Sequence, residues 1–360
     1  MKFLDLFAGV GGFRLGMESA GHECIGFCEI DKFARASYKA IHNTKGEIEL
    51  HDITAVSDEF IRGIGRVDII CGGFPCQAFS IAGNRRGFED TRGTLFFEIA
   101  RFASILRPKY LFLENVKGLL NHENGITFET IISTLDELGY NVEWESINSK
   151  NFGVPQNRER VFIIGHLRGE RTRRIFPLGG ENQSTSSQSV VKIGNVNPSG
   201  NGMNGEVYQA DGLAPTLTTN KGEGQKIAIK SNTIKQFGIL QPNFNQCGVV
   251  YETDGIAPTI RAYQGGGLEP KIIQRGHGYN QGGVHEIAPT LTSNSYHENN
   301  HLSFGYRIRK LTPRECWRLQ GFPDWAFDKA QEVNSNSQLY KQAGNSVTIN
   351  VIAAIAKELE

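Results

Sequence analysis

Short apolar runs alternate with amphipathic stretches over the first 167 residues of the chain. Lys2–Leu6, Cys24–Cys28, Val67–Cys71 and Tyr110–Leu113 are near-continuous apolar runs of the length expected for buried strands. Between them, Phe13–Ala20, Lys32–Ile41, Leu95–Leu106 and Phe128–Leu138 repeat their apolar positions at helical spacing. Val142–Ile147 and Val161–His166 read as two further strands of the same sheet. Strand and helix in this rhythm predict an α/β fold, a parallel sheet covered on both faces with ligands held at the carboxyl ends of its strands.

After about Leu167 the texture changes. Gly, Asn, Gln, Ser and Thr dominate, half of the chain's 42 glycines fall in 168–305, and helical periodicity returns only near Tyr306. The expected organisation is therefore a domain at 1–167, an irregular β-rich insert at 168–305, and a C-terminal part at 306–360 that packs back on the first domain. Inside the insert a short unit recurs: DGLAPTLTTN at 211–220, DGIAPTIRAY at 254–263 and EIAPTLTSN at 286–294. Its copies are spaced too irregularly for a long solenoid. They read either as three similar structural turns or as loops that face a nucleic acid.

Composition narrows the class without naming it. Lys plus Arg and Asp plus Glu both total 38, so no global basicity announces a nucleic-acid partner, and any such contact must be local. No apolar run approaches the roughly 20 residues of a membrane span, and MKFLDLFAGV lacks the layout of a secretory signal, so the expected location is cytoplasmic, with no membrane partner. The six cysteines, at 24, 28, 71, 76, 247 and 316, form no C-x-x-C pair, and no metal site is expected.

Five segments carry candidate chemistry. DLFAGVGGF, Asp5–Phe13, follows a strand and opens a helix, and Gly9, Gly11 and Gly12 let a ligand approach backbone N–H groups. Arg14 stands where the dinucleotide fingerprint would have its third glycine, which argues against a nicotinamide oxidoreductase. At the end of the second strand, Glu29 and Ile30 lie where an acid suits paired ribose hydroxyls; Asp52-Ile53 could meet an adenine, although taken alone that pair reads as ordinary surface. GGFPCQAFS, Gly72–Ser80, holds Cys76 at a strand end between residues that restrict the backbone, whereas Cys71 inside the apolar run reads as inert core. LFLENV ends in Glu114, a carboxyl beside apolar walls whose pKa can rise enough to make it an acid. In QNRERVFIIG, Arg158 and Arg160 share one side of an extended segment and suit a base carbonyl and a phosphate. Finally, QAGNSV places Asn345 and Val347 just before the terminal helix.

The ordered set DLFAGVGGF, GGFPCQAFS, ENV, QNRER and AGNSV resembles the DNA cytosine-5 methyltransferase family of bacterial or phage type, over nearly all of 1–167 and 306–360. The resemblance implies a Rossmann-like S-adenosylmethionine-dependent methyltransferase domain with a smaller target-recognition domain, the latter matched by location only. It implies double-stranded DNA as partner, a monomer, and room for a cognate restriction endonuclease without direct contact. By resemblance, Cys76 is the nucleophile, Glu114 donates to the cytosine ring and Arg160 holds its carbonyl. The cofactor contacts implied are Phe7, Gly9, Gly11, Gly12, Glu29, Ile30, Asp52, Ile53, Leu95, Asn345 and Val347. Gln77, Ser80, Arg85, Arg86, Arg92 and Arg158 are the expected DNA contacts, most of them on the loop after the nucleophile. A base inside a stacked duplex cannot be reached by Cys76, so the target must flip out. The rival readings are an RNA (tRNA) cytosine-5 methyltransferase and a non-catalytic DNA-binding relative.

Overall fold

The computed structural model describes residues 1–75, 95–178, 189–195, 205–210, 212–217, 226–230, 236–239, 249–251, 272–274, 283–285, 300–301 and 306–360. The chain forms two compact units. One comprises Met1–Val190, Gly212–Gly224 and Thr312–Glu360; the other comprises Val191–Asp211 and Gln225–Leu311. The second unit is thus smaller than the expected insert at 168–305. The first unit keeps the chain as far as Val190 because Ile175 and Phe176 are buried there and donate their backbone N–H groups to Glu143. It also keeps the first A-P-T-L copy.

The first unit begins with β1 (Lys2–Leu6), α1 (Gly12–Ser19), β2 (Glu23–Cys28), α2 (Lys32–Ile41), β3 (Ile48–Leu50), α3 (Asp58–Gly63) and β4 (Ile69–Gly73). It continues with α4 (Leu95–Leu106), β5 (Tyr110–Val116), α5 (Ile126–Glu137), β6 (Tyr140–Asn148), β7 (Gln156–Asn157) and β8 (Glu159–Leu167). Seven strands form one sheet in the order β3-β2-β1-β4-β5-β8-β6. The first five are parallel, and β1 and β4 are where the strand order reverses, the place at which open α/β sheets hold ligands.

One strand, β8, departs from the expected parallel sheet. β8 runs antiparallel to β5, and β6 antiparallel to β8. The chain between β6 and β8 holds only a short 3-10 turn at Ser149–Phe152 and the two-residue β7, too little for the helical crossover that a parallel pair requires.

Side chains alternate across the central strands, so both faces are apolar. On one, Leu4, Leu6, Ile70, Leu111 and Leu113 meet Phe96, Ile99 and Phe102 of α4 and Ile131 and Leu135 of α5. On the other, Phe3, Cys71, Phe112 and Phe162 meet Phe13 and Met17 of α1. That second face is closed by the far end of the chain. Following β9 (Lys192–Asn195), β10 (Glu206–Gln209), β11 (Ala214–Pro215) and β12 (Lys226–Lys230) come α6 (Pro313–Leu319), α7 (Asp324–Val333), α8 (Asn336–Asn345) and α9 (Ile349–Ala356). From α9, Val351, Ile352 and Ile355 complete the cluster, and His22 Nε2 lies 2.9 Å from the Ala356 carbonyl.

In the second unit β10 lies between β9 and β12, and β12 pairs on its other side with Tyr306–Lys310, giving a four-stranded sheet. Gln236–Ile239 pairs with Val249–Tyr251, and Ile272–Gln274 lies between Gly283–His285 and Asn300–His301. Among the described residues no helix is long and apolar enough to cross a membrane.

The contact of α1 with α9 depends on Gly16, where a Cβ would lie 2.6 Å from Cβ and Cγ2 of Ile352 and 3.1 Å from the Ala353 backbone nitrogen. Ala is the better helix former by about 1 kcal/mol, but overpacking costs about 1–3 kcal/mol. Gly16→Ala is therefore expected to lower stability, read as a fall in the urea midpoint at unchanged slope.

Candidate active site

The glycine turn leaves β1 through Phe7 and Gly9, both at a φ of 57°. The Gly9 N–H donates to Glu29 Oε2 at 2.8 Å, and the Asp31 N–H donates to Glu29 Oε1 at 2.7 Å. Glu29 therefore ties the first strand-end loop to the second; it is not the cap of α2, a role taken by Asp31, whose carboxylate accepts from the Phe33 N–H and from Lys341. Each carboxylate oxygen of Glu29 retains acceptor capacity beyond its single backbone bond.

These loops open onto a cavity of about 790 Å³. Of the expected cofactor contacts, Phe7, Gly9, Glu29, Ile30, Asp52, Ile53, Leu95 and Asn345 line it. Ile30 is 68% exposed, an apolar surface that no neighbour covers. Asp52 also caps the turn at Ile53–Ala55 through Thr54. Gly11, Gly12 and Val347 lie outside the lining. A Cβ at Gly12 would strike Ser346 Oγ at 2.6 Å and Val347 Cγ2 at 3.0 Å, so that glycine admits the C-terminal segment. Arg14, at the third glycine position of the dinucleotide pattern, is buried and holds Glu47 through both Nη atoms, at 2.7 and 2.8 Å.

The other half of the cavity is built where β4 and β5 end. Gly72 and Gly73 are required by two opposed neighbours: a Cβ at Gly72 would lie 2.1 Å from the Leu6 carbonyl oxygen, and one at Gly73 would lie 2.9 Å from Glu114 Oε2. Asn115 Nδ2 donates to the Phe74 carbonyl at 2.9 Å and so pins the segment that leads to Cys76 beside Glu114. Cys76 itself lies outside the described residues, as do Gln77, Ser80, Arg85, Arg86 and Arg92.

Glu114 is 8% exposed, and its Oε1 lies 3.0 Å from Arg160 Nε. The antiparallel register explains the pair: Glu114 faces Phe162 and Val116 faces Arg160, which makes Glu114 and Arg160 diagonal neighbours on one face. Burial raises the Glu114 carboxyl above the usual carboxylate range, against the lowering effect of Arg160 and then Arg158. A carboxyl so balanced is poised to donate a hydrogen bond to an uncharged acceptor.

Arg158 shares the cavity with Arg160, as the alternation predicts, but it does not sit on a wet face. It is 3% exposed and donates through Nη2 to the carbonyls of Ser346, at 2.8 Å, and Gly344, at 3.4 Å. Its Nε and Nη1 are buried without a partner, and burial, reinforced by the charge of Arg160, pushes its pKa down to about 9. A DNA group that met Arg158 would have to enter the cavity.

Thr216 and Leu217 also line the cavity and were not among the expected site residues. They follow β11, the first A-P-T-L copy, which pairs in parallel with β7. Thr216 Oγ1 donates to the Asn157 carbonyl at 2.8 Å. The repeat was the available signal, but repetition alone does not say which copy meets the site. The copies at 254–263 and 286–294 lie outside the described residues. Lys341 and Gln342, on α8, are further lining residues whose only sequence signal was proximity to the AGNSV segment.

The reversal of strand order at β1, the glycine turn linked to an acid just after the second strand, and the antiparallel β8 near one edge of the sheet define a Rossmann-like S-adenosylmethionine-dependent methyltransferase fold. The chain belongs to the C-5 cytosine-specific DNA methylases, whose family model matches residues 1–360, and its activity is that of a DNA (cytosine-5-)-methyltransferase. It is 34% identical to the orphan methyltransferase M.SPRI of Bacillus phage SPR, covering 100% of this chain and 97% of the relative. The type II methyltransferase M.HpaII of Haemophilus parainfluenzae is 38% identical, over 99% of this chain and 88% of that one. M.HhaI of Haemophilus parahaemolyticus is 37% identical, over 99% and 93%. Among solved structures, DNMT2 of Spodoptera frugiperda superposes with a TM-score of 0.59 at 20% identity, covering 99% of this chain and 98% of the other, a likeness of fold.

Asp5 lies fully buried one residue before the end of β1, with Tyr38 OH 3.5 Å from Oδ2 and Cys71 Sγ 3.9 Å from Oδ1. Burial pushes its pKa from 3.8 to about 8, with Arg14 opposing and Glu29 reinforcing the rise. Between those values the native chain keeps a proton that the unfolded chain releases, so stability falls as pH rises through the window. Asp5→Asn is expected to flatten that decline, measured as the difference in urea midpoint between about pH 5 and about pH 8.

Proposed function

We propose that the protein transfers a methyl group from S-adenosylmethionine to carbon 5 of a cytosine extruded from a specific duplex DNA sequence, through a covalent adduct with Cys76. The observation that carries this reading is the Glu114–Arg160 pair, held in the same cavity as Gly9 and Glu29. The lining fits the cofactor. Glu29 suits ribose hydroxyls, the bare Ile30 surface and Ile53 suit an adenine ring, and Phe7, Leu95 and Asn345 complete the wall. When bound, the cofactor supplies an electrophilic methyl carbon.

The protein's own groups prepare cytosine to accept it. Aromatic carbon 5 is a poor nucleophile until the Cys76 thiolate adds to carbon 6, forming a carbon–sulfur bond and placing the electron pair on the ring. Glu114 donates toward ring nitrogen 3 and accepts from the exocyclic amine, while Arg160 holds the carbonyl oxygen, so the charge that develops on addition is met by groups already in place. Once carbon 5 carries the methyl group, loss of its proton to water restores the double bond and expels Cys76 as thiolate. Extrusion of the base is needed for this contact and costs a few kcal/mol of unstacking. The segment at 77–94, with Arg85, Arg86 and Arg92, is suited by its charge to offset it through phosphate contacts.

The match to the C-5 cytosine-specific DNA methylase family over residues 1–360 supports DNA as the substrate, and the second unit is suited to supply the surface for reading sequence. Bisulfite sequencing of DNA exposed to the protein and cofactor reads activity and target together. Methyl incorporation into tRNA but not into duplex DNA would overturn the choice of substrate. Cys76→Ala is expected to abolish product while leaving cofactor affinity near that of the wild type, and Glu114→Gln to lower kcat by roughly 10²–10⁴. Full activity of the alanine variant would end the covalent mechanism.

A further inference from the structure

The glycine turn is gripped by a side chain that lies outside the cavity lining. His42 follows α2 directly and is 8% exposed. Its Nε2 lies 3.4 Å from the Val10 carbonyl oxygen, which can only accept, so this nitrogen carries the proton and donates. The imidazole packs on Tyr38 with centroids 4.6 Å apart, and Tyr38 stacks on Phe27 at 4.1 Å, which anchors the ring to the sheet. Gly11, at a φ of 87°, leaves the imidazole its space: a Cβ there would lie 2.0 Å from Nε2. Val10 itself lines the cavity. One side chain therefore fixes both residues between Gly9, which faces the cavity, and Gly12, which admits the C-terminal segment.

We propose that His42 is a positioning residue for the cofactor: by holding Val10 and Gly11, it keeps the Gly9 N–H and the Glu29 carboxylate set for the nucleoside half of S-adenosylmethionine. This rests on the cofactor reading given above. Burial, and then the neighbouring charge of Arg14, push the His42 pKa down to about 3, so the ring stays neutral and its donor role does not vary across the ordinary assay range. Because the grip acts on the cofactor turn and not on Glu114 or Arg160, its loss should fall on cofactor affinity and not on the chemical step.

The test compares His42→Ala, His42→Gln, Gly11→Ala and the double variant G11A/H42A in the full chain. Titration calorimetry gives cofactor affinity, steady-state assays give KM for each substrate and kcat, and thermal unfolding gives stability. His42→Ala is expected to weaken cofactor binding and raise its KM about tenfold, with kcat at saturating cofactor within about twofold and KM for DNA unchanged. His42→Gln, whose amide nitrogen can reach the place of Nε2, should recover most of the loss. Gly11→Ala should lose binding, and the double variant should regain part of it because the clash is gone. Unchanged cofactor affinity in His42→Ala overturns the proposal, as does a glutamine variant no better than alanine. A fall in kcat and melting temperature together with a rise in both KM values assigns His42 to structure alone and overturns it too. Wild-type protein that binds no S-adenosylmethionine overturns the cofactor reading itself, an outcome distinct from wild-type binding that His42→Ala leaves intact.

Discussion

The site depends on holding a carboxyl group out of water at the end of a strand without surrendering it entirely to a salt bridge. Glu114 is buried enough to resist ionisation and close enough to Arg160 to be drawn toward it. Neither tendency alone would serve: an exposed carboxylate could not donate, and a carboxylate fully locked to arginine would offer its oxygens only as acceptors. The balance needs a strand entering from the opposite direction, because the antiparallel register of β8 places Arg160 diagonally across from Glu114. It also needs a glycine at position 73 of β4, since a Cβ there would lie 2.9 Å from Glu114 Oε2. Sheet topology and local sequence thus meet at one pair of atoms.

The same economy of space governs the glycine turn. Three glycines of one turn face three different neighbours: the open cavity at Gly9, the imidazole of His42 at Gly11, and the C-terminal segment at Gly12. The turn is consequently a junction among β1, α2 and the end of the chain, and ligand contact is only one of its demands. Arg14 belongs to this arrangement as well. It binds the segment after α2 through Glu47, so the residue that breaks the dinucleotide pattern fastens α1 to that segment.

Much of this was legible in the residues. α2 and α4 occupy the spans that helical spacing predicts, and the apolar runs mark the cores of the six main strands. Strand direction was not legible, because an apolar run has the same composition whichever way it points; only the short connection before β8 bears on it. β3 and α3 were passed over because three and six residues are too few to show a period. At the site, motif order singled out Glu114 and Arg160, which lie paired in the cavity, and alternation placed Arg158 on their side, but alternation reports which side a residue takes and not how deeply it is covered. Thr216 and His42 were missed for a related reason: each acts through a fold-dependent contact with residues far away in sequence.

The closing of the first unit by α9 bears on how the polypeptide is made. The apolar surface of β1, β4 and α1 is finished by side chains from Val351 to Leu359, so a ribosome must deliver the chain through α9 before that face is sealed. Until then a nascent chain carries Phe3, Phe13 and Phe112 without their final cover, surface of the kind that chaperones hold. A DNA-modifying enzyme is in this way withheld from its folded form until translation has passed α9.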